Sequence, residues 1–411
     1  MSLLNVLNYD SIIYLTQFLS DYDKMCFMTT CKNLYFLREH VNYTDFQEYE
    51  LVKNLSFFNK FKHFIYINKI PKDHTENKFI VKTKNDKIPE NTTYLKFDSR
   101  FNDTIILTNL KNIKKIKFGH HFNQNITKHD IFLTSSTKKQ YIPNTVTHLT
   151  FGTDFCKNIT NCIPDSVTHL TFGLGFNSSI QNSIPDSVIY LKFGKYFNQP
   201  IRDFIPKSVT HLELGEYFNQ PILNCIPKNV THLTFQKFFD NYVAECVPNN
   251  VTHLFFEKHY NYYISYRSHI PDGITHLTIN KFLNESTKKN IPDSITHLTF
   301  GKYFNDSIQD YIPKNVKHLI FGSNFNQSIQ DYIPNGVTHL TFGRKFNQSI
   351  QGCIPNSVTH LTFGRKFNQD IQGCIPDSVT HLTFNYKSYT INKKIKSSIP
   401  KSVKYIILRK N

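Results

Sequence analysis

Prolines recur along this chain at a fixed interval. Pro143, Pro164, Pro185, Pro206, Pro227 and Pro248 are 21 residues apart, a 23-residue step leads to Pro271, and Pro292, Pro313, Pro334, Pro355 and Pro376 resume the 21-residue spacing. A 24-residue step ends at Pro400. Upstream, Pro89 heads "IPENTTYLKFDSRFND", and "LKNIKKIKFGHHFNQNI" puts Leu110 in the proline's slot one period later, with a 12-residue insertion before Pro143. That makes 15 units. Self-similarity at a period of this length restricts a chain to repeat architectures.

The unit reads I-P-x-x-V-T-H-L-T-F-G-x-x-F-N-Q-x-I. "VTHLTF" is β-branched and alternating, which predicts a short strand. Its Leu and Phe face one way and its His and second Thr the other. The Gly after the strand is expected to supply a turn with positive φ. One strand per 21 residues leaves too long a return path for hairpins. The expectation is therefore a solenoid, each strand parallel on its predecessor about 4.8 Å away, with Val, Leu, Phe, Phe and Ile in one continuous core.

Proline followed by apolar residues three, six and eight positions later resembles the leucine-rich repeat pattern L-x-x-L-x-L. The "F-N" and "I-P" words resemble, more specifically, the FNIP repeat, a family common in amoebae and in the giant viruses that infect them. The resemblance covers Pro89 to Leu408. The histidine in mid-strand and the Asn after Phe depart from ordinary leucine-rich repeats.

Eleven of the 19 histidines occupy one slot: His148, His169, His211, His232, His253, His276, His297, His318, His339, His360 and His381, interrupted by Tyr190 and Tyr405. Stacking makes them a column. Three uses stand open: a structural relay of hydrogen bonds from imidazole to imidazole, a recognition surface, or metal binding. No Cys or carboxylate pattern completes a zinc shell at the slot. Asn102, Asn123, Asn177, Asn198, Asn219, Asn305, Asn326, Asn347 and Asn368 form a second column, expected to satisfy turn backbone. Cys162, Cys225, Cys246, Cys353 and Cys374 sit two residues before a proline and read as small packing residues. No C-x-x-C, G-x-x-x-x-G-K-[ST], H-E-x-x-H or G-x-S-x-G occurs. The pattern points to a binder without catalytic residues, cofactor or metal.

Residues 1–50 contain no repeat. Asp10 is placed to cap a helix carrying Ile12, Leu15 and Leu19, Asp21 to cap a second with Met25 and Met28 inside, and a third starts near Lys32 with Leu34 and Leu37 on one face. "LTQFLSDYDKM" and "CKNLYFL" resemble the core and closing helix of an F-box, although Leu7-Asn8 stands where that family has Leu-Pro and the closing Trp is absent. The resemblance implies docking on a Skp-type adaptor of cullin ubiquitin ligases through Leu7, Ile12, Ile13, Leu15, Phe18 and Leu19. The expected organisation is an F-box-like helical domain over 1–50, a linker and N-terminal solenoid cap over 51–88, and FNIP coils over 89–411.

The formal charge of +17 attracts anionic partners in general. The outward columns are His and Thr rather than Lys or Arg, so no specific nucleic-acid partner is expected. The opening residues lack a basic start and an apolar core, so no signal peptide is read. No apolar run approaches the roughly 18 residues of a membrane span. The expected setting is intracellular and cytoplasmic, in the host cytoplasm if the chain is viral. Repeated words offer little selectivity, so a target is expected where they fail. "EKHYNYYISYRSH" holds a two-residue insertion and Tyr260, Tyr262, Tyr263 and Tyr266; with His253, Phe255 and His276 they form the candidate target contact. The resulting reading is a substrate receptor of a cullin-type ligase holding an unknown target protein. The other is a scaffold or decoy that binds host or viral proteins without ubiquitylation.

Overall fold

The computed structural model describes residues 16, 19–29, 36–48, 52, 54–57, 60–66, 77–104, 107, 110–128, 139–140, 142–235, 246–256, 270–279, 291–386 and 398–410. The chain divides into two compact units, Met1–Gly173 and Leu174–Asn411.

The first unit holds helix α1 (Asp21–Thr29), a 3-10 turn (Phe36–Glu39) and the strands β1 (Tyr43–Glu48), β2 (Phe61–Tyr66), β3 (Asn77–Val81), β4 (Tyr94–Phe97), β5 (Lys115–Lys117), β8 (His148–Thr150) and β9 (His169–Thr171). These pair parallel in that order. The ladder thus begins at Tyr43, ahead of the first recognisable word at Pro89, because register needs only alternation and not the full repeat. The 12-residue insertion is closed at its base by β6 (Thr127–Lys128) and β7 (Lys139–Gln140), which pair antiparallel.

The second unit continues with β10 (Tyr190–Lys192), β11 (His211–Glu213), β12 (His232–Phe235), β13 (His253–Phe256), β14 (His276–Ile279), β15 (His297–Phe300), β16 (His318–Phe321), β17 (His339–Thr341), β18 (His360–Phe363), β19 (His381–Tyr386) and β20 (Tyr405–Lys410). Each pairs parallel with the next, His on His and Leu on Leu from β11 to β19, with Tyr190 on His211 at one end and His381 on Tyr405 at the other. The irregular steps do not disturb this: His253 pairs with His276 and His381 with Tyr405. The extra residues are absorbed outside the strands.

The apolar slots make the core. In the Pro313 coil Val316, Leu319, Phe321, Phe325 and Ile329 are all buried. The two phenylalanines of a coil stack on one another, Phe342 on Phe346 at 4.0 Å, and each stacks on its counterpart in the preceding coil, at 5.5 Å for Phe321–Phe342 and 6.0 Å for Phe325–Phe346. Truncating one such ring to alanine is worth about 3–5 kcal/mol.

Three tight turns bend each coil. In the Pro143 coil they are closed by Val146 N–H to Pro143 O, Phe155 N–H to Gly152 O and Cys162 N–H to Ile159 O. The third turn uses the left-handed region three residues before the next proline: Asn161, Asn182, Asp203, Asn224, Asp310, Asp331, Gly352 and Gly373 have φ between 51° and 68°. Those are the residue types that tolerate it. The Gly after the strand has a different purpose from the one its position suggests, since Gly352 and Gly373 alone among the described glycines have positive φ. A Cβ on Gly343 would lie 2.0 Å from Gly322 O, and one on Gly364 1.8 Å from Gly343 O. The slot is glycine because successive backbones touch there.

Helix α1 is capped by Ser20 rather than by Asp21. Ser20 Oγ accepts from Asp23 N–H and donates to Asp23 Oδ2, a reciprocal cap. Asp21 is instead buried in an ion pair with Lys24 at 2.8 Å, whose Nζ also donates to Asn42 O. Met28 is buried against the Tyr43 hydroxyl, but Met25, expected inside, is 41% exposed. Tyr43 stacks on Phe61 at 4.5 Å. Its hydroxyl is pushed up to about 12, first by burial and then by Asp21. The helix is therefore fastened by one face to the first strand. Of the three helices expected, the first, apart from Thr16 and Leu19, and residues 32–35 of the third lie outside the described residues; Leu37 is buried.

Candidate functional site

The strands present their His and Thr outward and half-buried, with Leu and Phe inside. The imidazoles do not relay hydrogen bonds to one another. They stack face to face: His232–His253 at 4.0 Å, His253–His276 at 3.9 Å, His276–His297 at 3.9 Å and so on to His360–His381 at 4.1 Å, closed by Tyr405 at 4.6 Å. The first unit holds one such pair, His148–His169 at 4.2 Å.

Apart from His318, which follows Lys317, the rings from His211 to His381 are oriented by the Thr before them. Thr296 Oγ1 donates to Thr275 O at 3.3 Å and lies 2.9 Å from His297 Nδ1. The hydroxyl hydrogen is committed to the carbonyl, so the oxygen accepts and Nδ1 carries the proton. Nε2 is left as an outward acceptor. The arrangement repeats at Thr231–His232, Thr252–His253, Thr338–His339 and Thr380–His381. Burial, and then the neighbouring imidazoles, push His232, His297 and His339 down to about 4 and lower His253, His276 and His360 as well. His232, His297 and His339 are therefore neutral at pH 7. Parallel rings about 4 Å apart point their Nε2 lone pairs side by side, whereas zinc needs ligands converging at about 2.0–2.1 Å.

Among the described residues the one cluster able to ligate a metal is His120, His121 and Asp154, all exposed, in the first unit. His121 Nδ1 lies 2.7 Å from Asp154 Oδ2, and a hydrogen bond accounts for that contact.

The asparagine column does satisfy turn backbone. Asn326 N–H donates to Asn305 Oδ1, Asn347 N–H to Asn326 Oδ1 and Asn368 N–H to Asn347 Oδ1, at 2.7–2.9 Å. Gln327, Gln348 and Gln369 each donate Nε2 to the Asn carbonyl of the preceding coil. Two residues after the proline, Ser166, Ser294, Ser357 and Ser378 donate to the preceding coil in the same way. The cysteines are free; Cys162, Cys225, Cys246 and Cys353 are buried and Cys374 is partly so.

Beside the asparagines runs the corner just past the glycine, and here the coils differ. In the Pro185 and Pro206 coils it carries Lys195, Tyr196, Glu216 and Tyr217. Lys195 pairs with Glu216 at 3.4 Å, and the two tyrosines stack at 5.4 Å. In the Pro334 and Pro355 coils the same positions are Arg344, Lys345, Arg365 and Lys366, and none of these four has an ion-pair partner among the described residues. A groove of about 560 Å³ climbs this corner, lined by Tyr303, Asn305, Asn324, Asn326, Lys345, Asn347 and Lys366. "FGRKFNQ", written twice 21 residues apart, was the signal for it.

Of the expected target residues, His253 and His276 are stacked members of the column. Phe255 sits in the outward Thr slot, half-buried, paired with Thr234 and Thr278. Tyr260, Tyr262, Tyr263 and Tyr266 lie outside the described residues, as do Leu7, Ile12, Ile13, Leu15 and Phe18. Leu19 is 37% exposed.

The FNIP repeat family matches residues 135–175, 176–217, 283–324, 304–345 and 346–387. The chain carries FNIP repeats. Two proteins of Acanthamoeba polyphaga mimivirus named as F-box and FNIP repeat-containing are similar to it. One is 37% identical over 153 residues, covering 37% of this chain and 28% of its own. The other is 43% identical over 108 residues, covering 26% and 36%. The matched part spans about a third of these relatives' length. CroV588, a circular LRR protein, superimposes with a TM-score of 0.51 at 28% identity over 85% of this chain and 69% of its own. The FNIP coil is thus a leucine-rich-repeat-like coil. No helix among the described residues is long and apolar enough to cross a membrane.

Proposed function

We propose that this FNIP-repeat chain is a non-enzymatic protein-binding adaptor, the substrate receptor of a cullin-type ubiquitin ligase. In this reading residues 1–50 dock on a Skp-type adaptor, 51–88 join them to the coils, and 89–411 hold the target in the cytoplasm. Support comes from the relatives whose names join an F-box to FNIP repeats. The observation that carries the reading is the two-sidedness of the helical segment. Lys24 and Met28 fasten it to the start of the ladder, while Leu19 and Met25 stay exposed for a second protein. The Tyr260–Tyr266 stretch with His253, Phe255 and His276 is the proposed target contact.

The test is pull-down of a Skp-type adaptor and cullin with the full chain. Capture by the wild type, lost on Leu15→Asp with Leu19→Asp in a protein that keeps its thermal melt, is the expected result. No cullin with the wild type rejects the ligase role and leaves the scaffold or decoy. Changing the four tyrosines to Ala is expected to abolish target capture; unchanged capture removes them from the site.

A further inference from the structure

We propose that the corner groove of the Pro292 to Pro355 coils binds an acidic segment of the partner protein, which it holds extended along the stack. This rests on the partner-holding reading of the coils and names the chemistry they select.

Three observations lead there. First, the charge is uncompensated. Arg344, Lys345, Arg365 and Lys366 lie on the corners of two successive coils, which are in register through Lys366 N–H to Arg344 O at 2.9 Å. Asp293, in the Pro292 coil, pairs with Lys314. Like charges at this spacing repel, and the Pro185 and Pro206 coils avoid the problem with Glu216. Second, the groove floor is rich in donors. The Oδ1 of Asn305, Asn326 and Asn347 accepts from the backbone N–H of the next coil, which settles the amide orientation and leaves Nδ2 with no partner among the described residues. Three amide donors one coil apart run beside the lysine ammonium groups of the lining. Third, the dimensions suit a peptide. Three steps of about 4.8 Å make roughly 14 Å, the length of about four extended residues.

Acidic side chains and peptide carbonyls supply the acceptors that such a lining needs. A nucleic-acid strand fits it less well. Single strands are held by an aromatic face per base, and Tyr303 is the one aromatic side chain of the lining. A duplex engages about six to ten phosphates, and the unpaired cations here number four.

The experiment is fluorescence anisotropy of the full chain with a labelled Glu/Asp hexapeptide at low and moderate salt. Binding that weakens at least about tenfold in Lys345→Glu with Lys366→Glu is expected. Lys207→Glu with Lys228→Glu, the same charge change elsewhere in the second unit, is expected to stay within about twofold. Lys345→Gln with Lys366→Gln serves if the Glu variant melts early, and is expected to lose most of the affinity. Equal losses in the groove variant and the control overturn the proposal in favour of bulk charge. An oligothymidylate that binds more tightly than the peptide and loses affinity in the same variant overturns it in favour of nucleic acid. Absence of peptide binding overturns it outright and leaves the cullin pull-down unaffected, since that depends on residues 1–50.

Discussion

The outward strand column is built differently in the two units. In the first, its slots hold Lys78, Tyr94 and Lys115 before His148, and the neighbouring slots hold Lys96 and Lys117 before Thr150. In the second it is histidine from His211 to His381. At about 4.8 Å between rungs a column tolerates two kinds of side chain. One is a flat ring that sheds its charge and stacks. The other is a long chain that carries its charge away to water or onto a ring, as Lys78 does over Tyr94 at 5.1 Å. Histidine does the first because its proton is weakly held. Lysine cannot, and the Lys78 amine is held below the ordinary lysine range, first by burial and then by Lys96 and Lys117.

Acid separates the two most sharply. The folded column holds its protons with pKa values down to about 4, against the ordinary 6.5 of an unfolded histidine. Between those values the unfolded chain binds more protons. The column's stability is therefore complete above about 6.5 and is lost as pH falls toward 4. Summed over the rings whose pKa is lowered and discounted for solvent screening, a loss on the order of a few kcal/mol is expected between pH 7.5 and 4.5. Thermal melts measure it. Hydrogen exchange locates it: amides of β12 to β18 should lose protection while β3 to β5 keep theirs, because lysines stay charged throughout. Equal loss in both would sink the contrast.

Moving the lysine solution into the histidine column should cost less. His297→Lys removes two stacked pairs and inserts a charge that cannot be shed, an expected loss of about 1–3 kcal/mol in urea unfolding at pH 7.5. His297→Phe, which keeps the stack, should lose under half as much. Smaller again is Thr296→Val, about 1 kcal/mol for the hydroxyl that bridges Thr275 O and His297. Its distinguishing signal is nitrogen NMR, where His297 should no longer show a fixed Nδ1–H tautomer. Smallest is the reverse exchange: Lys114→Thr with Lys115→His should let the new ring stack on His148, for a gain of under about 1 kcal/mol at pH 7.5.

Much of this was legible in the words themselves. Alternation in "THLTF" is a direct record of which side chain meets water, so strand, faces, core and register followed from it. What sequence reasoning missed is set by the coil above. Glycine after the strand reads as a turn signal, but its cause is a carbonyl 21 residues away. The true left-handed position was visible as a slot restricted to Asn, Asp and Gly, and was hidden by having no single letter. A hydrogen-bond relay stood among the three readings of the histidines because the rise alone does not reveal that the rings tilt into face-to-face contact. Ser20 and Asp21 are both good caps, and burial of Lys24 claimed Asp21 for another task. The basic corner escaped because its period matters only once the strands fix which positions share an edge.

Among the described residues the hydrogen bonds of Ser, Thr, Asn and Gln run from one coil to the one before it, and the coils from Pro292 to Pro355 offer matching acceptors in return. Cutting out Pro334 to Ile354 would bring Ile333 against Pro355 and join two surfaces that already match. Val337–Ser357 and Val358–Ser378 differ at two positions, as a recent duplication would leave them. Length in such a molecule is adjustable in whole words, so reach toward a partner can change from one generation to the next without a new fold having to be found.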